Sequence, residues 1–207
     1  MNTFVYIDGF NLYYGAVKGT PHKWLNLAVL CNNLLPNFNI VKIKYYTAKV
    51  GARPSDPGQP VRQQTYLRAL RTLPNLEIIY GQFLQHKVRM RLANPPKQGN
   101  KVAEVIKTEE KGSDVNIATH MIHDGHLDRY DVAVLVSNDS DLAEPVRIVR
   151  HELGKTVGML NPHKYPSHEL KKHVMFMKPI RMGVLGASQF PEKLHDADGT
   201  FHKPREW

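Results

Sequence analysis

Three separated segments of this chain end in carboxylates, and each could be a metal ligand. YIDGFNLYYG carries Asp8, EEKGSD carries Asp114, and VLVSNDSDL carries Asp139 and Asp141. An aspartate ahead of a helix has a simpler use, because it accepts backbone N–H bonds and complements the helix dipole. That use suffices for Asp114 or Asp141 taken alone. It does not explain the group, since four carboxylates on one rim repel each other and raise each other's pKa unless a cation compensates them. Mg²⁺ and Mn²⁺ suit such a site, because they prefer oxygen ligands and retain waters. Ions of this kind activate a water and stabilise the oxyanion leaving from phosphorus, which is the chemistry of phosphodiester cleavage.

For these acids to meet, the elements that carry them must share one edge. Short β-branched or aromatic runs at residues 4–7, 40–47, 76–80, 132–137 and 156–160 alternate with helical patterns at 25–35, 61–73, 113–124 and 142–153. This alternation predicts a doubly wound, mostly parallel α/β sheet covered by helices on both faces. In such sheets ligands bind beyond the carboxyl ends of the strands, where Asp8, Asp139 and Asp141 fall. Asp141 and Glu144 have the spacing of a capping box, Pro145 follows in a first turn, and Gly154 supplies a C-terminal stop.

The chain is long enough for one domain with a full core. Lys and Arg outnumber Asp and Glu by 28 to 19, a formal net charge of +9, which favours a polyanionic partner. Much of the excess lies in an excursion at 82–107, with Lys87, Arg89 and Arg91 as candidate phosphate contacts and the turn-forming NPPKQGN in its middle. Lys111, beside Asp114, is a further candidate. The division expected is a domain over 1–180 and a C-terminal arm over 181–207, whose Phe190, Phe201 and Trp207 give it a means of docking. A single cysteine excludes an internal disulfide and a cysteine-rich zinc site. No apolar run approaches the roughly 20 residues of a membrane span. The N-terminus enters a strand pattern directly, so a soluble, cytoplasmic protein is expected.

The three acidic motifs resemble the NYN domain, a branch of the PIN-like nuclease superfamily, and within it the LabA-like group. The resemblance rests on YIDGFNLYYG, KGSDVNIATHMIHDG and VLVSNDSDLAEPVRIVRHELGKTVGMLNP, in that order, and spans residues 4–178. It implies an α/β/α sandwich, a divalent metal and ribonuclease-type activity. Asp8 matches the family's first acid and Asn11 its companion amide. Asp114 matches the acid opening the middle helix, and Asp139 and Asp141 match the acids after the fourth strand. The expected activity is endonucleolytic hydrolysis of RNA, with single-stranded DNA as the other possible substrate, through Mg²⁺ or Mn²⁺ held by the four aspartates. Asn11 would orient a ligand or substrate oxygen. The alternative is a regulatory RNA-binding module with weak or no turnover.

Other chemistries lack their signatures. There is no GxxxxGK[ST] phosphate loop, no GxGxxG after the first strand, and neither Ser137 nor Ser140 has a GxSxG setting, although either could orient a ligating carboxylate. An aspartyl-phosphate enzyme would need an acid where Phe10 stands. His120, His123 and His126 recur at helical spacing without a second ligand cluster and read as ordinary surface or core-edge histidines. Tyr13 and Tyr14 offer a stacking face for a base, with helix packing as the plainer use.

Overall fold

The computed structural model describes residues 1–207. β1 (Asn2–Asp8) runs straight into the short helix α1 (Gly9–Leu12) and a π-helical turn, Tyr13–Val17. There follow α2 (Leu27–Leu34), β2 (Asn39–Thr47), α3 (Gln59–Arg71) and β3 (Leu76–Tyr80). A two-stranded ribbon, β4 (Gln82–Arg91) and β5 (Val102–Lys111), precedes α4 (Ser113–His126). The second half comprises β6 (Val132–Val136), α5 (Ala143–His151), β7 (Thr156–Asn161), α6 (His168–His173) and β8 (Phe176–Pro179). The chain closes with α7 (Met182–Gly186), β9 (Lys193–Asp196) and β10 (Gly199–His202).

Six strands form one sheet in the order β3-β2-β1-β6-β7-β8, and every pairing in it is parallel. Alternation along β1 separates two cores: Val5 and Ile7 face one side, Tyr6 the other. On the first side they meet Leu27, Leu30 and Cys31 of α2 and Leu67 and Leu70 of α3. On the second, Tyr6, Ala133 and Leu135 pack against Ile117 and Met121 of α4, Val146 and Val149 of α5, and Leu170 of α6. With both faces covered, all five residues of β6 are buried, which is why VAVLV reads as an unbroken apolar run.

The sandwich is therefore α/β/α, as expected, and its central sheet is wholly rather than mostly parallel. Its sixth strand, β8, was not anticipated, because FMKP is short and has no β-branched residue. The excursion at 82–107, read from its turn residues, is an antiparallel ribbon whose strands reach Lys111. Its pairing was hidden because both faces are largely exposed and the hydrophobic pattern is broken by charge.

Residues after α7 pack on the α2–α3 side. Phe190 and Phe201 are buried there, the Trp24 indole N–H donates to the Pro191 carbonyl (2.8 Å), and Arg68 grips Asp196 through two bonds of 2.7 and 2.6 Å. Trp207 lies 6.4 Å from the Trp24 ring.

Candidate active site at the strand edge

β1 and β6 are neighbours whose successors run to opposite sides of the sheet, so a crevice opens beyond their carboxyl ends. Asp8 ends β1 in that crevice and is only 5% exposed. One of its oxygens accepts the Asn11 N–H (2.9 Å) and the other the Ser137 hydroxyl (3.0 Å). Ser137 Oγ in turn accepts the Asp139 N–H at 3.2 Å. The bend is so tight at Gly9 that an added Cβ would lie 2.6 Å from the Tyr46 carbonyl oxygen and 2.7 Å from the Tyr45 hydroxyl. Glycine alone lets α1 start that close to β2.

Asn11 accepts the Asn138 N–H through its side-chain oxygen (2.9 Å). Asn138 continues the chain of bonds, accepting the Ser167 N–H (2.6 Å) and donating to the Tyr165 carbonyl (3.0 Å). Asn11 thus clamps the loop that carries Asp139 through its side-chain oxygen. Asn138 has no role legible in the sequence, since a single amide between Ser137 and Asp139 has no signature of its own.

The capping box at Asp141 and Glu144 does not form. Asp139, on extended backbone, caps a single 3-10 turn, Ser140–Leu142, by accepting the Asp141 N–H at 3.0 Å. α5 starts only after that turn and has no side-chain cap, while Glu144 pairs with Arg147 at 2.7 Å. The extra turn moves the capping position from Asp141 back to Asp139.

Asp114 sits in the first turn of α4, behind Gly112, whose φ of 98° makes the sharp entry. Burial, then the charges of Asp8, Asp139, Glu110 and Asp141, push its carboxyl up to about 6. Burial also raises Asp8, against the lowering effect of its Asn11 and Ser137 bonds and with a further push from Asp139 and Glu110. Glu110 joins this field; its Oε1 accepts the Ser113 hydroxyl (2.8 Å). It was overlooked as a site residue because it lies among lysines. All of the chain's ion pairs involve other carboxylates, so Asp8, Asp114, Asp139 and Asp141 have no protein cation.

This donor set suits a hard cation, being all oxygen and uncompensated. No three His, Cys, Asp or Glu side chains converge closely enough to cage one ion. Mg²⁺ is usually held by one or two carboxylates, with waters and substrate phosphate completing its shell, so a closed protein cage is not needed. The histidines of α4 stand apart, and His120 meets the Tyr46 hydroxyl at 3.1 Å.

Facing pairs in the ribbon put Lys87, Arg89 and Arg91 on the same face as Phe83. Lys87 lies 3.5 Å from Glu104, and Lys111 lies 3.6 Å from Glu109. Phe83 packs edge-on against Phe10, with ring centres 5.3 Å apart. Beneath these two rings opens a cavity of about 330 Å³, bordered also by Tyr13, Tyr14, Tyr66 and Trp207.

A parallel α/β sandwich with an acidic edge at the reversal of strand order is the architecture of the PIN-like superfamily. The chain belongs to the NYN domain family, whose model matches residues 2–178. A curated relative from Pseudomonas putida, a 6-hydroxy-3-succinoylpyridine 3-monooxygenase, is 32% identical over 236 aligned positions, covering all of this chain and 75% of its own. A crystal structure of a Vibrio parahaemolyticus protein of unknown function has the same fold, with a TM-score of 0.56 and 18% identity over 87% of this chain and 93% of that one. No helix is long and apolar enough to cross a membrane.

Proposed function

We propose that this protein is a divalent-metal-dependent endoribonuclease of the LabA-like kind. The observation that carries the reading is the edge at the β1–β6 crevice, where burial and then four neighbouring acids push Asp114 up to about 6 and no side-chain cation answers them. Family membership supports a nuclease-like site there. When bound, Mg²⁺ or Mn²⁺ would supply a water activated for attack and charge to offset the leaving oxygen. Asp8, whose oxygens accept from Asn11 and Ser137, and Asp139, whose carboxylate accepts the Asp141 N–H, are the preorganised ligands in this reading. Asp114 and Asp141 complete the negative field. Lys87, Arg89, Arg91 and Lys111 position the strand through its phosphates and do not read bases.

A second reading has its own support. The Pseudomonas putida relative is named as a monooxygenase of 6-hydroxy-3-succinoylpyridine, and the aromatic cavity beside Asp8 has rings to receive a pyridine. That reaction would consume dioxygen and a two-electron donor. The test is to incubate the purified protein with end-labelled RNA, or single-stranded DNA, in Mn²⁺, Mg²⁺ or EDTA. Internal cleavage that requires metal supports the proposal. Strand binding without cleavage in any metal would instead make the protein a regulatory RNA-binding module. Consumption of dioxygen and the donor, coupled to loss of 6-hydroxy-3-succinoylpyridine, would favour the second reading.

A further inference from the structure

The aromatic cavity takes no part in the chemistry assigned to the four aspartates. We propose that it is a subsite for one unstacked nucleobase of a single strand whose phosphates run from the acidic edge onto the ribbon, an assignment that rests on the nuclease reading above.

Position favours this occupant. Gly9 and Phe10, the two residues after Asp8, line the cavity on one side. Phe83, whose ring packs against that of Phe10 at the same rim, begins the ribbon face that carries Lys87, Arg89 and Arg91. A strand with one phosphate at Asp8 would therefore run along the cavity's rim to reach those cations, which leaves the cavity open to one of its bases.

The walls match a base. Tyr13 and Tyr14 stand edge to face with ring centres 5.3 Å apart at 79°, and Tyr14 is half exposed at the rim. Tyr66 is fixed by its hydroxyl donating to the Leu25 carbonyl (2.9 Å), so the inner wall is set before a ligand arrives. Any base has a π-face to lay against such rings, and stacking is tolerant of sequence.

Charge matches the flanking phosphates. Arg62 in the wall is held by Asp56 at 2.5 Å and lies 3.8 Å from Glu206. Lys23 and Arg53 also line the cavity, and neither forms an ion pair. Two uncommitted cations beside an aromatic slot suit a ring with an anion on each side.

The experiment compares two labelled strands of equal length, an oligouridylate and its abasic ribose-phosphate counterpart, by fluorescence anisotropy in EDTA. Wild type is measured beside Tyr14→Ala, an exposed change that the fold tolerates, and Arg53→Gln. Tyr14→Ala should weaken the oligouridylate by about fivefold or more and leave the abasic strand unchanged. Arg53→Gln should weaken both strands alike. Equal losses of the two strands in Tyr14→Ala, or no loss of either, would overturn the subsite. So would 3-hydroxybenzoate binding in the cavity without displacing the oligouridylate, because the site would then belong to a free aromatic acid. Cleavage plays no part in this measurement. Base-dependent binding without metal-dependent cleavage would sink the nuclease reading alone, and cleavage without base dependence would sink the subsite alone.

Discussion

α4 carries an aspartate near each end, and the two are treated in opposite ways. Asp124 is 1% exposed; Lys44 approaches to 2.5 Å, Arg129 to 2.9 Å, and the Tyr6 hydroxyl donates at 2.9 Å. Burial raises its pKa, but the bonds from Lys44, Tyr6 and Arg129 outweigh burial and hold the carboxyl below its ordinary range. Asp114 has no cation to offset its burial, which together with the neighbouring acids pushes it up to about 6. The fold can therefore bring cations to a buried acid, and at the strand edge it does not. The contrast separates a carboxylate used for structure from a set left open to an external cation.

The contrast is broken most forcefully at Asp124. Asp124→Asn leaves Lys44 buried without its counter-charge, and urea unfolding at neutral pH should show a loss of about 3–5 kcal/mol. A loss below about 1 kcal/mol would mean that the network contributes little more than a surface pair. Cleavage by the folded fraction should be unchanged.

Asp8→Asn and Asp139→Asn should do the reverse. Each should lower metal-dependent cleavage by more than the roughly 10–100-fold that loss of an outer-shell partner costs, with little change in unfolding. Wild-type rates in both variants would remove these residues from the site.

Protonation sharpens the comparison further. The folded pKa of Asp114 lies above its ordinary 3.8, so the native state holds this proton more tightly than the unfolded chain between 3.8 and about 6. Its effect on metal-free stability is absent below that window, grows as pH rises through it, and persists as a penalty above. Asp124 has the opposite sign, its contribution being present above the ordinary carboxylate range and lost as pH falls through it. Melting temperatures of wild type and Asp114→Asn in EDTA should coincide near pH 4 and diverge by pH 7, with the variant higher. Parallel curves would show that Asp114 is not in the acidic field.

The smallest effect belongs to the ribbon. Replacing Lys87, Arg89 and Arg91 with Ala should reduce the slope of log affinity against log salt by about 0.7 for each phosphate of a single strand that the ribbon no longer neutralises. An unchanged slope would leave the ribbon a solvated feature.

What could be read in the sequence divides along the same physical line. Buried parallel strands such as VAVLV announce themselves, because both faces need apolar residues, and the acids directly after them follow from the sheet's geometry. The ribbon and β8 were not legible, since an exposed pair and a four-residue strand carry little hydrophobic pattern. Asp8, Asp114 and Asp139 were visible as acids. The clamp from Asn11 to Asn138 and the approach of Glu110 depend on contacts between distant segments, which spacing does not encode. Lys44 beside Asp124 was hidden for the same reason, so the compensated acid could not be told from the uncompensated ones by sequence.

The account turns on whether the uncompensated edge takes a divalent cation. Mn²⁺ binding at pH 7.5, followed by the loss of the free-ion electron paramagnetic resonance signal with a non-cleavable oligonucleotide present, tests this directly. Wild type should bind Mn²⁺, Asp8→Asn and Asp139→Asn should bind it at least about tenfold more weakly, and Asp124→Asn, at a temperature where it is folded, should match wild type. Equal Mn²⁺ affinity in wild type and both edge variants would contradict the account.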